Sequence, residues 1–216
     1  LINTTASLED FLEMFDEIEE GRVSLFIDLE GFQHGRNGTL STIQFTFAHQ
    51  PDVTYVVDIL VLRERVFGTV GEHKKSIQVI LEDPEIYKVL FDARQDSAAL
   101  YWEWDVKLAG IIDVQLMELA DRGRRRRYLS SLEKCIKKYV ELTPEESEAW
   151  SATKHACRKY SANEYGLEWS LRPMPEYRLD WILRPMPEIL LRYAANDTTF
   201  MPALYDALQY NLEGAG

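Results

Sequence analysis

Cysteine is scarce in this sequence, with two thiols, Cys135 and Cys157, among 216 residues. Their wide spacing fits no zinc-ligand pattern and is too thin for a disulfide-stapled miniprotein, so free thiols in a reducing compartment are expected. Long apolar runs are missing too. Nothing approaches the roughly 18 residues that a membrane helix needs, so no membrane partner is expected. A signal peptide is not expected either, because residues 1–20 hold carboxylates where such a peptide has a basic start and an apolar stretch. An intracellular location is the expectation, with nucleus and cytoplasm left open. The sequence has no initiating Met, and the reading is a fragment or a processed chain. Cations are in deficit: 24 Lys and Arg stand against 36 Asp and Glu, a net charge of −12. That balance argues against a nucleic-acid coat protein, whose affinity comes largely from cations displacing the counterions of phosphate.

What is present reads as an ordinary globular chain. Hydrophobic residues at 46% and charged ones at 28% exclude collagen and wholesale disorder. The length favours one enlarged domain over two complete ones. Charge is unevenly distributed. Residues 9–20 carry seven carboxylates and no cation, whereas Arg122, Arg124, Arg125, Arg126 and Arg127 place five guanidinium groups in six positions. A basic strip on an acidic body can still bind a polyanion.

Ser7 and Asp10 form a capping-box-like pair, and Leu8, Phe11, Leu12, Phe15 and Ile18 then share one helical stripe, which predicts an amphipathic helix ending at Gly21. Val23 to Leu29 is β-rich with apolar residues of both parities, as in a central strand covered on both sides. Arg36-Asn37-Gly38-Thr39 is a hairpin signal, after which Ile43, Phe45 and Phe47 alternate with Thr42, Gln44 and Thr46. Further strands are predicted at 53–58, 86–91 and 111–112, and helices at 74–82, 93–104, 114–121 and 129–140, with a helical last third. This order predicts an α/β fold, a mixed sheet flanked by helices. One duplication interrupts it: residues 168–179 recur as 180–191 with eight of twelve positions identical, each copy carrying Arg-Pro-Met-Pro. Two copies are too few for a solenoid. The duplication reads as a semi-rigid surface segment that could present itself to a protein partner.

Three carboxylate signals carry chemistry. Asp28 and Glu30 are two apart at the end of the predicted central strand, so both side chains point to one face and could share a metal. Asp96 falls in the first turn of the helix after the strand ending at Phe91, where the helix dipole tolerates an anion. Tyr193 and Asp197 are four apart on a late helix and share its face.

Their order is specific. The segments Phe26-Ile-Asp-Leu-Glu-Gly31, Leu90-Phe-Asp-Ala-Arg-Gln-Asp-Ser-Ala-Ala-Leu100 and Tyr193-Ala-Ala-Asn-Asp-Thr198 resemble the three motifs of the DEDD 3′–5′ exonucleases, and the tyrosine narrows the resemblance to the ribonuclease D-like branch. Leu132-Glu-Lys-Cys-Ile136 and the Trp181-x-x-Arg-Pro lead-in are similar to that branch as well. Many relatives carry His or Asn where Phe91 stands. The resemblance runs from about residue 7 to 210. It implies a ribonuclease H-like fold and a single exonuclease domain over 1–216, with a helical, duplicated segment at about 143–187.

The chemistry it implies is hydrolysis of phosphodiesters from a 3′ end, releasing nucleoside 5′-monophosphates. Two ions about 3.5–4 Å apart offset the repulsion between an anionic backbone and its nucleophile, and oxygen-only ligands favour Mg²⁺ or Mn²⁺ over zinc. By resemblance Asp28 bridges the ions, Glu30 and Asp197 complete the first site, Asp96 acts on the second through water, and Tyr193 orients the attacking water. Asp92 competes with Asp96 as the second-motif acid, and the resemblance selects Asp96. The expected substrate is single-stranded nucleic acid, RNA before DNA. Phe32 is the candidate for base stacking and Arg124, Arg125, Arg126 and Arg127 for phosphate contact. Trp102, Trp104, Trp150, Trp169 and Trp181 read as packing residues, and His34 as surface loop. The alternative function is a catalytically silent exonuclease-fold protein that binds RNA or acts as a scaffold, with the acidic face or the duplicated segment recruiting a protein.

Overall fold

The computed structural model describes residues 1–32, 36, 38–72, 74–123, 127–165 and 179–214. Thr4 caps the first helix, α1 (Thr5–Glu13): its hydroxyl accepts from the Ser7 amide at 3.1 Å, and the Ser7 hydroxyl accepts from the Thr4 amide at 3.2 Å. The reciprocal pair is therefore Thr4 with Ser7, not Ser7 with Asp10, because a serine here takes the place usually held by Glu or Gln. The helix tightens into a 3₁₀ turn over Met14–Glu17. The stripe still works as predicted, with Leu8, Phe11, Leu12 and Phe15 buried and Ile18 packed against them.

Five strands follow, β1 (Val23–Phe32), β2 (Thr39–Phe47), β3 (Gln50–Asp58), β4 (Tyr87–Leu90) and β5 (Ile111–Asp113), in the sheet order β3-β2-β1-β4-β5. The β1–β2 and β2–β3 pairs are antiparallel, and the β1–β4 and β4–β5 pairs are parallel. This is the mixed sheet the sequence predicts. Between β3 and β4 lie α2 (Ile59–Leu62), α3 (Arg65–Gly68) and α4 (Ile77–Glu82). The first two are single turns, too short to leave a periodic signal. The start of α4 is set by Ser76, whose hydroxyl accepts from the Val79 amide at 3.2 Å. Then come α5 (Arg94–Trp104), α6 (Val114–Asp121), α7 (Leu132–Tyr139), α8 (Pro144–Tyr165), α9 (Glu188–Thr199) and α10 (Met201–Gly214).

The two faces of the sheet differ in chemistry. Ile27, Leu29, Ile43, Phe45 and Phe47 join Leu8, Phe11 and Phe15 of α1 in one apolar core. Burying each such side chain contributes roughly 1.5–3 kcal/mol. The alternate residues face the other way. Thr42, Gln44 and Thr46 are as buried as the phenylalanines between them, because α9 lies over them. Thr198 on α9 shares a hydroxyl triad with Thr46 (3.1 Å) and Thr54 (3.0 Å). Two further apolar clusters are distinct from that core, one around Phe26, Val89, Trp150 and Leu204 and one formed by Cys157, Trp181, Leu190 and Ala194. Cys135 and Cys157 are buried, and burial pushes the Cys135 thiol up to about 12.

One buried cation braces the sheet. Lys88 in β4 is fully buried and donates to the carbonyls of Ile80 and Asp83, each at 2.7 Å, closing the end of α4. Burial pulls its ammonium down to about 8, against a smaller opposing pull from Asp83. A neutral amine still has two N–H groups for those two carbonyls. Because the folded pKa lies below the unfolded one, the native state sheds its proton first, and stability rises with pH between about 8 and 10.5. Lys88→Met should cost about 2 kcal/mol at pH 7 by orphaning the carbonyls, and its deficit relative to the parent should widen from pH 8 to 10. Chemical denaturation across that range checks both signs, and a constant gap would refute the assignment.

Candidate active site

The central strand places the first two acids. Asp28 pairs with Gln44 and Glu30 with Thr42 across the β1–β2 ladder, so both carboxylates lie on the polar face under α9. The register shifts immediately after Glu30. Gly31 permits that shift: a Cβ there would stand 2.3 Å from the Thr39 carbonyl oxygen, closer than any side chain can approach. Phe32, the candidate stacking residue, is half-buried opposite Thr39 at the end of the strand.

Asp197 comes down from α9. The helix is fastened to the sheet by the Thr198 triad and, at its lead-in, by the second copy of the duplication. There Arg184 grips the buried Asp58 at 2.6 and 2.7 Å and donates to the Ser41 hydroxyl at 2.9 Å, while the Ser41 hydroxyl donates to the Trp181 carbonyl at 2.6 Å. Trp181 is fully buried, its ring 6.2 Å from that of Tyr193. Through these contacts the second copy packs against the sheet. The first copy, with Trp169, falls almost wholly outside the described residues.

One oxygen from each of Asp28, Glu30 and Asp197 lies within 4.8 Å of the others. Asp96, buried in the first turn of α5, stands outside this triplet. Burial first, then the charges of Glu30, Asp197 and Asp96, hold the Asp28 proton well above the usual carboxylate range, while Lys154 pulls the other way. One oxygen of Asp28, Oδ2, is buried without a hydrogen-bond donor. Asp92 is turned away from this cluster. It adopts φ 59° and binds the Arg94 guanidinium at 2.6 and 2.9 Å, while Asp113 caps the turn around it. The geometry thus gathers Asp28, Glu30 and Asp197, with Tyr193 one turn before Asp197 on the same helix, while Asp96 bears on Asp28 through its charge.

Lys154 is absent from the sequence reading. It lies on α8, 8% exposed, with its ammonium 2.8 Å from Asp197 Oδ1. No motif surrounds it, and one lysine on a charged helix gives no sequence signal.

Of the arginine strip, Arg122 is engaged with Glu118 at 2.9 Å and with the Tyr128 carbonyl at 2.6 Å. Arg127 is exposed over the Tyr128 ring. Arg124, Arg125 and Arg126 fall outside the described residues, as does His34. Trp150 and Trp181 are buried, as their packing role predicts. Trp102 is not: it is 52% exposed and carries the Arg36 guanidinium 4.2 Å above its ring. No helix among the described residues is long and apolar enough to cross a membrane.

An oxygen-only donor set with an unsatisfied buried oxygen is the chemistry of a hard divalent cation site. A family model described as 3′–5′ exonuclease matches residues 1–213. Ribonuclease D of Trypanosoma brucei, solved in complex with the RNA U12, superposes with a TM-score of 0.68 at 27% identity, covering 96% of this chain and 61% of that one. Escherichia coli ribonuclease D superposes with a TM-score of 0.64 at 19% identity, covering 100% of this chain and 45% of that one, and so supports the fold alone. The piRNA biogenesis protein EXD1 of Xenopus laevis is 28% identical over 144 residues, which is 64% of this chain and 29% of EXD1. The chain thus spans less than two thirds of these relatives. The sheet and its helices are those of the ribonuclease D, ribonuclease H-like exonuclease fold.

Proposed function

The chain belongs to the 3′–5′ exonuclease family, and on that premise we propose that it removes nucleoside 5′-monophosphates from the 3′ end of single-stranded RNA in a divalent-cation-dependent hydrolysis. The observation that carries this reading is the convergence of Asp28, Glu30 and Asp197 from two elements far apart in sequence. Four carboxylates raise one another's proton affinity and destabilise the fold that holds them, a cost that a cation site explains and a scaffold does not.

Asp28, Glu30 and Asp197 would hold a first divalent ion, and Asp28 with Asp96 a second. Bound there, the ions supply neutralisation of the phosphodiester and a lowered pKa for water. The rest is the work of side chains. Tyr193 belongs to the tyrosine branch of the family and directs its phenol at the attacking water. Phe32, just past Glu30, stacks on a base near the 3′ end, and Arg124 to Arg127 take the phosphates behind it, contacts that position a strand without reading its sequence. RNA is favoured because the T. brucei ribonuclease D was solved with RNA and EXD1 is named for piRNA biogenesis.

The test uses RNA and DNA of one sequence, labelled at either end, with Mn²⁺ or with EDTA. With Mn²⁺, 3′-labelled RNA should release a labelled mononucleotide at once, 5′-labelled RNA should shorten stepwise, and DNA should be degraded more slowly. Equal rates on DNA would remove the RNA preference. Intact substrate with Mn²⁺ would leave a silent, RNA-binding exonuclease fold.

A further inference from the structure

The ammonium of Lys154 occupies an unusual place. It is buried on α8 and paired at 2.8 Å with Asp197 Oδ1, one member of the three-carboxylate cluster. Aromatic faces close around it, with the Trp150 ring centroid 4.7 Å away and that of Tyr193 5.8 Å away. Its backbone is held as well. One turn earlier on α8, Trp150 donates Nε1 to the Asn196 carbonyl at 3.0 Å, and Asn196 donates Nδ2 to the Trp150 carbonyl at 3.4 Å, so α8 is locked to α9 beside Asp197. A buried ammonium is tolerated when paired and when ring faces supply part of its solvation. Here the partner is a carboxylate that the proposed first ion needs.

We infer that Lys154 is a resident counter-cation of the carboxylate cluster, which neutralises the ion-free site and competes with the divalent ion for Asp197. Binding of the ion then requires the Lys154–Asp197 pair to open. The charge argument is direct. The charges of Glu30, Asp197 and Asp96 all bear on the buried Asp28 carboxylate, and the Lys154 ammonium offsets part of that repulsion without any ion. A Mg²⁺-type ion sits about 2.0–2.1 Å from its oxygens, so an ion and an ammonium on the same carboxylate are like charges in near contact, and one must leave. This gives the site a threshold: it stays assembled without an ion and fills only when the ion outcompetes a built-in rival. The inference rests on the proposed metal site and adds the order of events there.

The experiment is Mn²⁺ calorimetry on the full chain, in the parent and in Lys154→Met, with the ion-free Tm of each. The variant should bind Mn²⁺ at least about tenfold more tightly, since a competing positive charge is gone, and should melt at a lower temperature without the ion, since the carboxylates lose their neutraliser. Lys154→Arg, which keeps the charge, should restore the parent values. Equal or weaker binding by Lys154→Met would overturn the inference while leaving the metal site standing, and absence of Mn²⁺ binding by parent and variant alike would overturn both. A second measurement uses the parent alone. Acylation of Lys154 by an amine-reactive ester, read by mass spectrometry, should rise several-fold when Ca²⁺ or Mn²⁺ binds, and unchanged labelling at saturating ion would equally refute the displacement.

Discussion

Asp28→Asn should lower the rate of RNA 3′-end cleavage by at least about 10³-fold, equivalent to about 4 kcal/mol of lost transition-state stabilisation, and at the same time make the ion-free protein more stable. The first effect follows from geometry. Asp28 is the residue around which Glu30, Asp197 and Asp96 are arranged, and its buried Oδ2 lacks a donor. An amide keeps the shape of the carboxylate but offers one weakly binding oxygen and no charge. The second effect follows from linkage. A carboxylate whose folded pKa is raised above its unfolded value destabilises the native state in full above the folded pKa, and that penalty vanishes as pH falls towards the unfolded value of 3.8. The asparagine variant never carries the penalty, so its Tm should exceed the parent's at pH 7 and converge with it near pH 4. Loss of turnover together with a gain in Tm separates a missing ligand from a damaged fold. A rate within tenfold of the parent, or a lower Tm at pH 7, would refute this account of Asp28.

Sequence and structure agree where a local rule governs. Period-two alternation in β1 puts Asp28 and Glu30 on one face, the four-residue spacing on α9 does the same for Tyr193 and Asp197, and a residue in the first turn of a helix after a strand lands at the end of the sheet where Asp96 is found. The strands are legible for the same reason, since Ile43, Phe45 and Phe47 have to alternate to fill one core. What the sequence hides is non-local. Thr42, Gln44 and Thr46, the polar half of that alternation, form a buried layer, because burial there is decided by α9 some 150 residues later, through the bond from Thr46 to Thr198. Lys154 and Lys88 read as two more surface lysines, yet each is buried against groups contributed by other elements. Trp102 errs in the opposite direction. Aromatic content usually signals packing, whereas this ring faces solvent with Arg36 stacked on it. The capping pair at Thr4 and Ser7 is missed for a smaller reason: two hydroxyls exchange bonds where the common pattern has an acid.

Tyr193→Phe should leave Mn²⁺ affinity within about threefold of the parent yet slow cleavage by about 10²–10⁴-fold, the usual cost of losing a positioned proton-handling group. The ring is already placed without its hydroxyl. It packs 6.2 Å from the buried Trp181, and its helix is held by Leu190, Ala194 and the Thr198 triad, so phenylalanine fills the same space with the same neighbours. The variant therefore removes one oxygen and little else. Were the phenol a metal ligand, affinity would fall with the rate; were it only a packing element, neither would change. In the proposed role the phenol acts on water in the transition state, so kcat should fall while KM for RNA stays nearly constant. The ring also stands 5.8 Å from the Lys154 ammonium. Phenylalanine preserves that face, so the ion-free Tm should remain within a degree or two of the parent. Single-turnover cleavage of 3′-labelled RNA at saturating Mn²⁺, beside calorimetric Mn²⁺ titration, reads both quantities on one preparation. Full-speed cleavage, or a rate loss that follows Mn²⁺ affinity in proportion, would reassign Tyr193 from positioning water to packing or to holding the ion.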